Sequence, residues 1–183
     1  LLEADEMIRA SLRERPNAVV EKGVGTSADF ARLAEGASLL GREQAALLYR
    51  RAALRGLQRS GQETSLAQLA VLRGVASSLA EMGMRDSALE TLGEARSLLP
   101  GDLPAGHIER TALALVQARV EALTAPSGQP VETMLPAVLG AYDRLPADHP
   151  ARRHGHFWIL RLALERGRLD LSAAAAASYV RGA

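Results

Sequence analysis

Apolar residues recur at three- and four-residue steps through nearly all of this chain. That is the spacing of a single buried helix face. Leu66, Leu69, Ala70, Leu72, Val75, Ala76 and Leu79 form the clearest run. The apolar share is mostly Ala and Leu, which are good helix formers and poor strand formers. With aromatics at only 3%, the composition argues against an all-β sandwich or a strand-rich α/β enzyme. The expected fold class is all-α. Apolar residues at 48% and charged residues at 23% are globular values rather than those of a disordered chain. A length of 183 residues suits one domain or two small ones.

Glycine and proline divide the helical pattern. The interruptions are Pro16 with Asn17, Gly23 and Gly25, Gly41, Ser60 with Gly61, Gly83, Pro100 with Gly101 and Pro104, Pro126 to Pro130, Pro146 with Pro150, and Gly167. Between them the spacing predicts helices over 1–15, 28–40, 42–59, 64–82, 85–98, 106–124, 131–145, 151–166 and 170–181. Start signals support several of them: Ser27-Ala28-Asp29 before Phe30, Asp86 after Gly83, and Asp170 with Ser172 for the last. Residues 16–27 and 125–130 are predicted loops. The Ala173–Ala177 run reads as a packed or frayed terminal helix.

One unit repeats. Leu72, Val75, Ala76 and Leu79 lead into Gly83; Ala88, Leu92 and Ala95 follow, and Pro100 closes the unit. Ala76 lets the first helix lie close to the second, where Ala88 and Ala95 present small residues seven apart. Gly83 supplies a turn without a Cβ penalty, and Pro100 stops the second helix. The pattern returns in Phe30, Leu33, Ala34, Ala37 and Gly41, followed by Ala45, Tyr49 and Ala52 with one residue missing from the turn. It returns again in Ile159, Leu160, Ala163 and Gly167, with Ala175 and Tyr179 after a longer turn and Leu160 in place of the small residue. A degenerate unit pairs 106–124 with 131–145 and ends in Ala141 and Pro146. Ala4, Ile8, Ser11 and Pro16 match the spacing of Ala88, Leu92, Ala95 and Pro100, so 1–15 is expected to be the second half of a repeat. The chain opens at Leu1, not Met, and is expected to be a piece of a longer protein.

The 69–100 unit resembles the tetratricopeptide repeat family, 28–53 less so, and the rest weakly. The resemblance implies one right-handed α-solenoid domain of helical hairpins at 28–59, 64–100, 106–146 and 151–181, with the half repeat at 1–15. A generic helical bundle with Ala-rich interfaces is the alternative architecture. In the family, the first helices of successive repeats line a concave groove that holds a peptide. Carried over, this puts Arg73, Ser77 and Glu81 in one solvent-facing stripe, with Glu35 and Ser38 in similar places in the preceding unit. The stripe lacks the paired cations by which some members hold a C-terminal carboxylate.

The formal net charge is +1, which gives no footprint for nucleic acid or an anionic membrane. Lys22 is the only lysine, a bias read as that of a GC-rich bacterial genome. The absence of Cys excludes disulfides, thiolate metal sites and Cys nucleophiles. No apolar run reaches the roughly 18 residues of a spanning helix, and no signal peptide is visible. No P-loop, dinucleotide fingerprint, nucleophile elbow or zinc motif appears, and no cofactor is implied. Gly23-Val24-Gly25 reads as a flexible turn.

Residues 149–158 are the densest candidate for site chemistry, and the region is locally basic through Arg168. His154 and His156 point about 200° apart on a helix and cannot chelate together, and His149 stands in a turn before Pro150. At least one of Phe157 and Trp158 is expected in the core, with Trp158 also a candidate for partner contact. Arg152, Arg153, Arg161, Arg166 and Arg168 face one acid, Glu165. They are either a solvated surface or a dock for an acidic peptide, since Arg forks bind carboxylates in a bidentate manner.

The expected function is a non-catalytic scaffold that holds a protein or peptide segment, in the cytoplasm or periplasm, with self-association through uncapped ends. A ligand-responsive regulatory array and an enzyme on a helical bundle are the rival classes.

Overall fold

A computed structural model describes residues 26–60, 65–104, 107–124 and 129–181. They form eight helices and no strand: α1 (Ser27–Leu39), α2 (Glu43–Ser60), α3 (Ser65–Glu81), α4 (Arg85–Ser97), α5 (Ile108–Thr124), α6 (Gln129–Asp143), α7 (Pro150–Glu165) and α8 (Leu169–Arg181). The all-α class and the helix boundaries follow the sequence pattern to within a few residues. The predicted helix 1–15 and the Gly23–Gly25 turn lie outside the described residues, as does 125–128. Gln129 and Pro130, expected in a loop, already belong to α6, because the first turn of a helix tolerates proline. α1 starts at Ser27, one residue before the predicted start at 28. Thr26 is its N-cap, and Asp29 completes a capping box. The two Thr26 hydrogen bonds to Asp29 Oδ2, at 2.8 and 2.7 Å, are the main reason its carboxyl is held below the usual range.

The helices fall into two compact units, Leu1–Leu99 and Pro100–Ala183. In the first, α1 packs on α2, α2 on α3 and α3 on α4. In the second, α5 packs on α6, α6 on α7 and α7 on α8, while α5 also reaches α7 and α6 reaches α8.

Three hairpins close in the same way. Gly41, Gly83 and Gly167 have φ of 70°, 75° and 67°. After each glycine, the next N–H reaches back to a carbonyl of the final helical turn. Arg42 donates to Ala37 O at 2.9 Å, Met84 to Leu79 O at 2.9 Å and Arg168 to Ala163 O at 2.8 Å. Each glycine N–H donates to the following carbonyl: Ser38, Ala80 or Leu164. This is the Schellman closure, which satisfies two orphan carbonyls and needs the left-handed conformation at its glycine.

The shared closure corrects two expectations. None of the three turns has gained or lost a residue: residues 40–42, 82–84 and 166–168 separate the paired helices. The small residues equivalent to Ala88 and Ala95 are therefore Ala46 and Ala53, not Ala45 and Ala52, and all four are fully buried. In the last hairpin the equivalent of Ala88 is Ser172, not Ala175. Gly41 and Gly83 stand 42 residues apart, and Gly167 lies 84 beyond Gly83. The same step from Gly83 falls at residue 125, directly after α5. In this register Phe30, Leu72 and His156 are equivalent, as are Ala34, Ala76 and Leu160.

Leu66 and Ala70 are exposed rather than part of the buried face. α3 is four residues longer than α4 (17 against 13), so its first turns extend past that partner. Further along, Val75 through Ala80 are all buried. α3 lies between α2 and α4, and a helix covered on two sides hides more than one stripe.

Gly83→Ala is expected to destabilise the first unit by about 1–2 kcal/mol, the cost of a Cβ in the left-handed region. Gly93, exposed within α4 with open space at its Cβ, is the control. Gly93→Ala is expected to stabilise by up to about 1 kcal/mol. Urea denaturation of both variants against the parent measures the two shifts.

Candidate functional site

The groove stripe expected on α3 is interrupted. Ser77 is only 6% exposed, which corrects its placement on the solvent side. It belongs to the Val75–Ala80 stretch covered by both neighbouring helices. Arg73 and Glu81 are half-buried on the same helix, and Glu35 is exposed on α1. Ser38, placed in a similar position by the sequence, is also buried.

Ser38 belongs instead to a polar cluster that sequence reasoning missed. Its Oγ donates to Glu43 Oε1 at 2.6 Å, and Ser78 Oγ donates to Glu43 Oε2 at 2.7 Å. Arg50 Nη1 donates to Ser78 Oγ and stands 3.8 Å from Glu43 Oε2. Gly74 makes room for this arm: a Cβ there would meet Arg50 Nε at 2.7 Å. The cluster joins α1, α2 and α3 with its acid and base both largely buried. The single sequence signal is the Glu43–Arg50 spacing, which puts both side chains on one face of α2.

In the second unit the arginine-rich segment is paired along its length. Arg152 Nη1 donates to Leu145 O at 2.9 Å, and its Nη2 lies 3.8 Å from Asp143 Oδ1. The Arg153 guanidinium sits 4.9 Å over the Tyr179 ring. Arg161 pairs with Glu165 at 2.9 Å. Arg166 Nη2 donates to Ala122 O on α5. Arg168 binds both carboxylate oxygens of Asp170, at 3.0 and 2.8 Å, and is the main reason that carboxyl is lowered to about 2. Five cations that look like a dock in the sequence therefore each have a partner within their own unit.

Trp158 is buried and Phe157 half-buried, as the core expectation had it. The Arg119 guanidinium of α5 stacks 3.7 Å over the indole, and that of Arg161 lies 5.2 Å from the ring centre. Trp158 Nε1 donates to His154 Nε2 at 3.1 Å. Arg119 was not singled out in the sequence. The 42-residue register exposes it: Glu35, Ser77, Arg119 and Arg161 occupy one position on four first helices. α5 and α7 thus bring two of these positions together around one aromatic ring.

The three histidines of this segment separate as helix geometry requires. His149 caps α7, its Nδ1 accepting from Ala151 N at 3.2 Å. His154 is exposed and bound to Trp158. His156 is fully buried. Among the described residues no group of three His, Cys, Asp or Glu is arranged to hold a metal ion. No described helix is long and apolar enough to cross a membrane. Comparison with known proteins finds no family model, no curated protein and no solved structure that matches this chain.

Arg50→Met is expected to cost about 3 kcal/mol, because it leaves Glu43 buried without its cation. Exchanging Glu43 and Arg50 together for apolar residues is expected to cost much less. A double-mutant cycle by urea denaturation checks the coupling.

Proposed function

We propose that this chain is a non-catalytic helical-repeat scaffold of the tetratricopeptide-like kind. The hairpins of each unit would stack as a right-handed α-solenoid, and the first helices would present a partner protein segment with a continuous face. The observation that carries this is the common hairpin. Three Schellman turns with one geometry, at steps of 42 and 84 residues, fit a repeat array better than a generic bundle. The 42-residue step is longer than the roughly 34 residues of a tetratricopeptide repeat and falls in the range of about 40–47 typical of other α-solenoid repeats. The proposal is therefore for a long-helix member of that architecture.

The candidate contact residues are the accessible ones on first helices: Glu35, Arg73 and Glu81 in the first unit, and Arg161 with its partner Glu165 in the second. They carry both signs, which fits a partner segment of mixed charge.

Immobilised full chain would be used to recover proteins from lysate of its source organism. Arg73→Ala/Glu81→Ala and Arg161→Ala/Glu165→Ala would serve as parallel baits, each checked for folding by circular dichroism. A partner weakened about tenfold by one pair, the effect of roughly 1.4 kcal/mol, and unaffected by the other assigns the face to that unit. A partner held equally by both baits places binding away from the first helices. Absence of any partner counts against the scaffold.

A further inference from the structure

His156 occupies a position that its sibling hairpins fill with Phe30 and Leu72. In those two hairpins the side chain is apolar and buried; in the last it is an imidazole with 0% exposure. The ring packs 6.3 Å from the Tyr142 ring of α6. Its Nε2 meets Asp143 Oδ1 at 3.0 Å, in a contact that falls short of hydrogen-bond alignment, and among the described residues its Nδ1 has no hydrogen-bond partner. A neutral imidazole costs less in this slot, because with its one N–H on Nε2, facing Asp143, only a lone pair is left at Nδ1. A protonated ring carries two N–H groups and a charge, and here it meets one carboxylate that is itself 38% exposed. A buried donor without an acceptor costs about 1–3 kcal/mol, and more when charged.

We propose that His156 is an acid-sensitive latch for the last hairpin: in mildly acidic solution, protonation of its buried ring loosens the packing of α7 against α6 and α8. The charged groups that act on the ring among the described residues are Asp143 of α6, Arg152 of its own helix and Arg181 of α8. Burial is the largest influence and disfavours the charged ring; Asp143 opposes it, and the two arginines add to it. The net result holds the imidazole below its ordinary range. Stability is therefore intact above about pH 6.5, where the ring is neutral in the folded and unfolded chains alike. As pH falls through that value, the unfolded chain takes up a proton that the folded chain refuses. Stability then declines until the folded ring titrates as well.

The test is hydrogen exchange of the full chain between pH 7.5 and 5.0, corrected for the intrinsic pH dependence of exchange. This range lies above the ordinary carboxylate range of about 4. In the parent, protection of α7 and α8 is expected to fall by up to about tenfold per pH unit below 6.5, the limit for one proton, while α1–α4 stay protected. His156→Leu, which copies Leu72, and His156→Gln, which keeps a polar group without a titration, are expected to flatten that response; either one, if folded, suffices. His149 and His154 lie on or next to α7 and each accepts a hydrogen bond through its imidazole, so His149→Asn/His154→Gln is the control and is expected to retain the response. A parent with no pH-dependent loss in α7–α8 would overturn the latch. So would a response that survives in the His156 variants, or one that disappears in the control.

Discussion

The left-handed glycine that closes a hairpin is the constraint on which the packing depends. At Gly41, Gly83 and Gly167 it holds the connection to three residues, and so fixes the rotation at which the second helix starts. One residue more or less would turn that helix by about 100° and bury a different face. With the turn fixed, Ala46 and Ala53, or Ala88 and Ala95, meet the first helix, and their small side chains let the two backbones approach. The long polar arms of neighbouring positions are then sorted to the outside or into specific pairs.

Those pairs give otherwise similar hairpins separate identities. Glu43, Arg50, Ser38 and Ser78 tie α2 to its two neighbours, whereas the positions equivalent to Arg50 are Leu92 and Ala176. In the second unit the corresponding work falls to Arg119 on Trp158 and to Arg166 on the Ala122 carbonyl. Arginine suits this use because its planar fork stacks on rings and reaches carbonyls while its stem packs on apolar surface. A buried pair of this kind adds little net stability but penalises a wrong neighbour, which would leave the charge unpaired.

Positions 149–168 illustrate the limit of reading charge from a sequence. Five arginines against one acid suggest an exposed basic face. Three-dimensional packing supplies what the linear count omits: the Leu145 and Ala122 carbonyls, the Tyr179 and Trp158 rings, and Asp143 and Asp170. Ser77 fails for a related reason. Helical spacing places it on the same stripe as Arg73 and Glu81, but spacing describes a lone helix. It does not say that α2 and α4 cover α3 from two sides.

The sequence by itself determined the helices, because apolar period, capping residues and glycine or proline breaks are local and act within a few residues of where they stand. It also marked the three turn glycines, since the left-handed backbone there has few other solutions, but not the common length of the turns. The structure decided the register of the second helices, the partners of the arginines, and the full burial of His156. Each of these depends on what a neighbouring helix brings to the contact, and residues far apart in the chain carry no local signal of their meeting.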